Sequence, residues 1–378
     1  YSLQFSTLGE ILITGGSLSP DFPTTPGTLQ PAYSSATDGW LTKIDNAASS
    51  IVASTFLGTN DYDQCYFVQL DSSDNVYVVG QTEGPYPIFP ATVYNNPNSG
   101  QFLHKLTSDL STTVFSTTFG TSSGEIDIAL SAFLVNECNY MFISGWGGVV
   151  NTFNGGPAFS TTTGMPITAG AIQAATDGSD YYLMMLAEDA DTILYGTFFG
   201  GNNSNDHVDG GTSRFDKRGI VYQAVCSSCG AATADFPTTP GVWSNTNNSS
   251  NCNLGVFKID LTSLTADANV YTTPYHCLGD TVFFQNLSNG GISYFWDLGD
   301  GDTSSLFEPI HVYDSIGTYN VMLVSLDSIT CLKRDTDFVD IFIGGPPTVN
   351  IAPTPGVCSG DSILSLIHIS EPTRQKPI

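Results

Sequence analysis

Basic residues are scarce: the 378-residue chain carries 10 Lys plus Arg against 36 Asp plus Glu, a formal net charge of −26. A nucleic-acid groove needs clustered Lys and Arg to displace counterions from phosphate, so this composition excludes one. Binding to an anionic membrane surface is excluded on the same ground. No apolar run approaches the roughly 18 residues of a membrane-spanning helix, so membrane insertion of this segment is not expected. Helical patterning is missing too, because no 3.6-residue apolar periodicity lasts a helix length. Before Tyr1 there is no start Met, basic segment or apolar segment, and the N-terminus reads as a cut. What is abundant is Gly (38), Pro (20), Phe (23) and Tyr (17), which favours short strands and tight turns. With 41% hydrophobic residues the chain can fold, and its acidity implies a soluble, self-repelling surface rather than disorder. Its length suits two or three domains.

The strands come in repeats. DFPTTPG occurs at 21–27 and 235–241, with looser relatives PIFPAT at 87–92 and MPITAG at 165–170. Each follows a strand-like run (11–17, 75–82, 139–146, 219–227) and precedes another (39–45, 101–107, 180–187, 255–261). In three units a third run follows, STFLGT, STTFGT and GTFFGG, and a fourth such as CYFVQL at 65–70 or IALSAFLV at 128–135 is expected to complete the unit. Four short strands per unit, parted by Gly, Pro, Asn and Asp, is the pattern of a propeller blade. These phrases resemble the SBBP β-propeller repeat over about 11–261, with four blades recognisable and the last lacking its closing strand. Further strand-like runs follow at 280–287, 292–298, 310–313, 318–326 and 337–343. Here YFWDLGDG and HVYDSIGTYNV, with Trp296, Asp297, Gly299, Asp300, Gly301, His311, Tyr313, Gly317 and Tyr319, closely resemble the PKD domain, an immunoglobulin-like β-sandwich.

The expected fold is therefore all-β: propeller-like repeats over 1–262, then a PKD sandwich over 263–346. CLGDTV at 277–282 and CSGDSI at 358–363 align, so 347–363 reads as the start of a second such domain. The string LSLIHISEPTR resembles translated sequencing adapter, and 364–378 is set aside as a scar.

Eight Cys are present. Cys277 and Cys331 lie near opposite ends of the PKD-like module and are expected to form a disulfide, which would imply an oxidising compartment. Cys226 and Cys229 form a CSSC with Cys252 downstream; a local loop disulfide is preferred to zinc or redox chemistry, since a second C-x-x-C and a βαβ context are missing.

GTSSG at 120–124 fits a nucleophile-elbow expression, but the equivalent turns LGTND and FGGNN keep the turn without the serine, so it reads as a blade connection. Acidic residues recur after those turns: Asp61 and Asp63, Glu125 and Asp127, Asp206 and Asp209. Turn capping is the leading role for them and calcium the alternative; a catalytic pair would not recur in every unit. Trp40, Trp146 and Trp243 are candidates for a sugar platform, weighed against blade packing. No cofactor is required by this reading, with calcium the one candidate. The expected function is a non-catalytic secreted or cell-surface protein for adhesion or for binding extracellular proteins or carbohydrates. The alternatives are an accessory region of an exported hydrolase and a structural surface-matrix component.

Overall fold

The computed structural model describes residues 2–150, 159–208, 214–217, 219–230, 235–261, 266–288, 291–327 and 333–345. Cys331, Asp209 and the segments 347–363 and 364–378 lie outside the described residues. The chain divides into two compact units, Tyr1–Ser263 and Leu264–Ile378, and twenty-four β-strands are formed among the described residues.

The first unit holds four consecutive antiparallel sheets. Sheet one runs β1 (Ser2–Phe5), β2 (Ile11–Ser17), β3 (Asp38–Ile44), β4 (Ile51–Leu57), and sheet two runs β5 (Asp63–Leu70), β6 (Val76–Thr82), β7 (Gln101–Leu106), β8 (Thr113–Phe119), each in spatial order. Sheet three repeats this with β9 (Ala129–Val135), β10 (Met141–Trp146), β11 (Tyr181–Leu186) and β12 (Ile193–Phe199). In sheet four, β13 (Asn205–His207) and β14 (Arg214–Phe215) pair with successive parts of β15 (Ile220–Cys229), which also pairs with β16 (Asn253–Asp260).

One expectation is corrected by this pairing. CYFVQL does not complete the preceding unit; it lies within β5, whose partner is β6, so each fourth run opens the next sheet. The reason is local: a tight hairpin joins it to the following strand. Asp71 N–H donates to Asn75 O and Asp74 N–H to Asp71 O, and the same two bonds form in the first hairpins of the other sheets, from Ser6 and Gly9, Asn136 and Asn139, Asp216 and Gly219. The closing residue has positive φ each time (Gly9 78°, Asp74 59°, Asn139 61°, Gly219 92°), a conformation open to Gly, Asn and Asp at little cost.

Sheets stack on their successors through apolar clusters. Leu12, Leu41, Val78 and Phe102 join the first to the second, Val79, Leu103, Met141 and Met184 the second to the third, and Phe142, Leu183, Val221 and Phe257 the third to the fourth. Fully burying side chains of this size stabilises by about 1.5–3 kcal/mol each.

The second unit is a sandwich. One sheet orders β17 (Ala268–Val270), β19 (Thr281–Asn286) and β22 (Ile310–Val312). The other orders β18 (Tyr275–Cys277), β24 (Arg334–Gly344), β23 (Gly317–Leu326), β20 (Ser293–Asp297) and β21 (Thr303–Ser304). Trp296 is fully buried between them with Val282, Phe284, Val321, Leu323 and Ile341.

Candidate functional site

The sheet-to-sheet connections at 57–63, 119–127 and 199–206 repeat one arrangement. A buried carboxylate holds the turn: Asp63 Oδ2 accepts from Thr59 N (2.5 Å) and Oγ1 (2.8 Å), Asp127 from Thr121 N (2.9 Å) and Oγ1 (2.6 Å), and Asp206 Oδ2 from Gly201 N (2.7 Å). The turn glycine is obligatory. A Cβ on Gly58 would lie 2.5 Å from Asp38 Oδ1, and one on Gly200 would strike Asp180 Oδ1 and come within 2.8 Å of Asp206 Oδ2. Thus the first and third connections bring a second aspartate to the site, from the strand that begins at Asp38 or from the residue just before Tyr181. At the second connection Gln101 takes that place, its amide donating to Asp127 Oδ2 (3.2 Å) and accepting from Asp127 N (2.7 Å).

Burial pushes the Asp38, Asp63 and Asp127 carboxyls above their ordinary range, and the neighbouring Asp38 charge adds to this at Asp63. Burial, with Asp177 and Asp206 nearby, raises Asp180 to about 7, and burial with Asp235 and Asp177 nearby raises Asp206 to about 6. Asp38 Oδ1, Asp63 Oδ1 and Asp180 Oδ1 are buried with no hydrogen-bond partner among the described residues. The sequence pairing differs from the spatial one. Asp61 is exposed and Glu125 half-buried, while Asp63, Asp127 and Asp206 are buried and face Asp38, Gln101 and Asp180. Asp61 and Glu125 lie in the bends of their connections, whereas Asp63 opens β5 and Asp127 lies two residues before β9, so nearness in sequence does not gather these carboxylates.

Among the described residues, two groups of three ligand-bearing side chains come within 4.8 Å: His207 with Cys229 and Cys252, and Asp300 with Asp302 and His311. Neither includes a junction acid. In the first, Cys229 and Cys252 form a disulfide, with His207 Nδ1 3.6 Å from Cys229 Sγ. Cys226 is not in this bond, which corrects a Cys226–Cys229 bridge. Both residues lie on β15, and residues three apart on a strand are about 10 Å apart, beyond disulfide reach. Cys277 is an exposed free thiol.

In the sandwich, the turn after β20 is built by its own carboxylates. Asp297 Oδ1 accepts from Gly299 N (3.0 Å) and Asp300 Oδ1 from Asp302 N (3.0 Å), while Gly299 and Gly301 hold φ of 83° and 103°. Burial pulls the Asp300 carboxyl up, but His311 (Nε2···Oδ2 2.6 Å) and the Asp302 amide outweigh it and leave it lowered. Tyr313 donates to Leu298 O (2.9 Å) and stacks on Tyr319 at 4.1 Å, locking the turn to β23, which begins at Gly317.

Other candidates are structural. Ser122 of GTSSG lies between two strands and bonds Asn96. His104 is fully satisfied by Tyr86 Oη (2.9 Å) and Thr113 Oγ1 (2.8 Å), and burial lowers it to about 3. Trp40 packs on Phe22 (4.7 Å) and Trp146 on His207 (5.7 Å), whereas Trp243 is wholly exposed.

A further site emerges from the four first hairpins. Their tips converge on one recess of about 680 Å³, lined by Gln4 and Phe5 of sheet one, Gln69 and Asp74 of sheet two, Asn136 and Glu137 of sheet three, and Lys217 of sheet four. Thr7 N donates to Asp74 Oδ1 (2.9 Å), tying the first two hairpins together, and Lys105 pairs with Asp71 at 3.0 Å behind them. The sequence signal was the repeated hairpin itself, STLG, DSSD, NECN and DKRG, whose varied letters hide a shared backbone.

A family model for the PKD domain matches residues 268–341. Residues 268–341 are a PKD domain. Collagenase ColQ1 of Bacillus cereus (strain Q1) is 50% identical over 36 residues, 10% of this chain and 4% of the collagenase, so the chain spans a small part of that relative. The crystal structure of the PKD1 domain of the Vibrio cholerae metalloprotease PrtV is 28% identical, with 22% of this chain and 98% of that domain covered and a TM-score of 0.19. Over 92% of this chain, the extracellular domain of a putative hybrid two-component system of B. thetaiotaomicron aligns at 11% identity and a TM-score of 0.34, covering 44% of that domain. The PKD match accounts for the Trp296 core and the Asp297–Gly301 turn together, since both fall inside it.

Proposed function

We propose that this chain is a binding region of an exported modular protein. Its four sheets act as successive blades of an SBBP-like propeller platform, and the PKD domain acts as an interaction or spacer module. The reading places it outside the cell or on its surface, in keeping with the collagenase and metalloprotease company of PKD domains. One observation carries it: the first hairpins of all four sheets converge on one recess that mixes the amides of Gln4, Gln69 and Asn136, the carboxylates of Asp74 and Glu137, the Lys217 ammonium and the exposed ring of Phe5. Convergent polar groups beside an apolar ring suit a polyhydroxylated ligand, which presents hydroxyls at its rim and C–H faces to a ring. Carbohydrate is thus the favoured ligand class. The full chain is expected to bind specific glycans on an array, and Gln69→Ala or Phe5→Ala to weaken that binding at least about tenfold, a loss of about 1.4 kcal/mol. Absence of glycan binding, or binding untouched by both substitutions, contradicts the reading. The collagenase match favours a second reading, an accessory region of an exported hydrolase, which predicts that the chain binds that enzyme's polymeric substrate.

A further inference from the structure

We propose that the fourth sheet is a strand acceptor: β16 and the loop following β15 form an open groove that takes an extended peptide of the class of β4, β8 and β12.

The three complete sheets show how the place is filled elsewhere. In each, the fourth strand pairs with the third on one side and with the DFPTTPG-type loop on the other. Thr25 N donates to Ser54 O (3.0 Å) and Phe56 N to Gln30 O (2.9 Å) in sheet one. Phe89 N donates to Ser116 O (2.9 Å) in sheet two, and Phe198 N to Gln173 O (3.1 Å) in sheet three. In sheet four, β16 has β15 on one side and no strand on the other among the described residues. A cavity of about 880 Å³ separates it from the loop, with Pro237, Trp243 and Thr246 on one wall and Leu254, Val256 and Lys258 on the other.

The spacing explains the gap. The fourth strands start at 51, 113 and 193, six residues after Asp45, Thr107 and Ala187, whose place is taken here by Asp260. The same step from Asp260 reaches Ala266, but the chain there runs into β17, which pairs with β19 inside the PKD domain, Ala268 opposite Asn286 and Val270 opposite Phe284. The segment due to close sheet four is used by the sandwich.

The open wall of the groove is apolar: Leu254 and Val256 are 74% and 71% exposed, and Trp243 fully so. Leu41, Leu103 and Leu183, each the counterpart of Val256, are 0% exposed because the following sheet covers them, so this exposure marks the uncovered face of sheet four, while the edge of β16 without a strand among the described residues marks the place for an added one. An unpaired strand edge beside such side chains is a template for adding a strand, with backbone bonds giving affinity and side-chain pockets giving selectivity. The register sets the ligand. Gly39, Gln101 and Tyr181 face Leu57, Phe119 and Phe199, so Leu254 is set to face a Phe or Leu, in a peptide such as IVASTFL, TVFSTTF or ILYGTFF.

The test adds labelled TVFSTTFGT, the sequence of 113–121, to the full chain and reads fluorescence anisotropy together with amide hydrogen exchange. Saturable binding is expected, with alternate amides of 253–260 slowed about tenfold or more. N-methylation of alternate peptide bonds, or Leu254→Lys with Val256→Lys at these exposed positions, should weaken binding at least about tenfold. Failure to bind at about 1 mM peptide overturns the proposal. So does slow exchange of β16 before peptide is added, with a dimer in ultracentrifugation pointing to a second copy in the groove and a monomer to this chain's own 266–273.

Discussion

Among the described residues, three of the four sheets carry a fourth strand on their outer edge and stack on a following sheet, and one does neither; the same third-strand position is fully buried in the former and open in the latter. Leu103, between β6 and β8 and against the next sheet, and Val256, on β16, occupy equivalent places two residues before a lysine. The difference teaches that the repeat's stability does not reside in strand propensity. It comes from what covers each strand, which no single unit supplies for itself.

The largest effect should follow from emptying a covered position. Leu103→Ala or Leu183→Ala is expected to cost about 2–5 kcal/mol in denaturant unfolding, whereas Val256→Ala should stay within about 0.5 kcal/mol. Equal losses would break the comparison. Next come the turns between sheets: Gly200→Ala drives a methyl into Asp180 and is expected to destabilise by about 1–3 kcal/mol, with Gly241→Ala as a control where a Cβ has open space but φ is +81°.

A subtler difference separates the junctions by pH. Asp180 and Asp206 are raised to about 7 and 6, so their contribution is fully present below the unfolded value near 4 and is lost as pH rises through 6 to 7. Calorimetry should find the first unit less stable at pH 8 than at pH 5, and Asp180→Asn should flatten that slope. In the PKD domain the sign reverses. Asp300 is lowered, so its contribution is present above the ordinary carboxylate value and lost as pH falls through its folded one. A parallel pH response of the two units would contradict both assignments. The smallest effect is expected at exposed Asp61: Asp61→Asn should leave unfolding within about 0.5 kcal/mol.

Much of this architecture was legible in the sequence. Ile11–Ser17 was readable as a strand residue for residue, and the sandwich module was readable from the motif around Trp296 and Asp297–Gly301, because alternation, β-branched runs and Gly-Asp turns act locally. The assignment of CYFVQL to a sheet was not legible, since it depends on which of two turns is tighter. Nor was the company of the junction acids: Asp63 meets Asp38 and Asp206 meets Asp180 across neighbouring sheets, while the sequence sets Asp61 only two residues from Asp63. The recess escaped for the same reason, being made of four hairpin tips that share hydrogen bonds but not residues.

The most direct test is hydrogen exchange on the free protein, strand by strand. Amides of 38–44, 101–106 and 181–186 should exchange near the slowest rates of the first unit, while alternate amides of 253–260 exchange at least about tenfold faster. Uniform protection across all four third strands would contradict the account, because it would mean that the fourth sheet is closed like the rest.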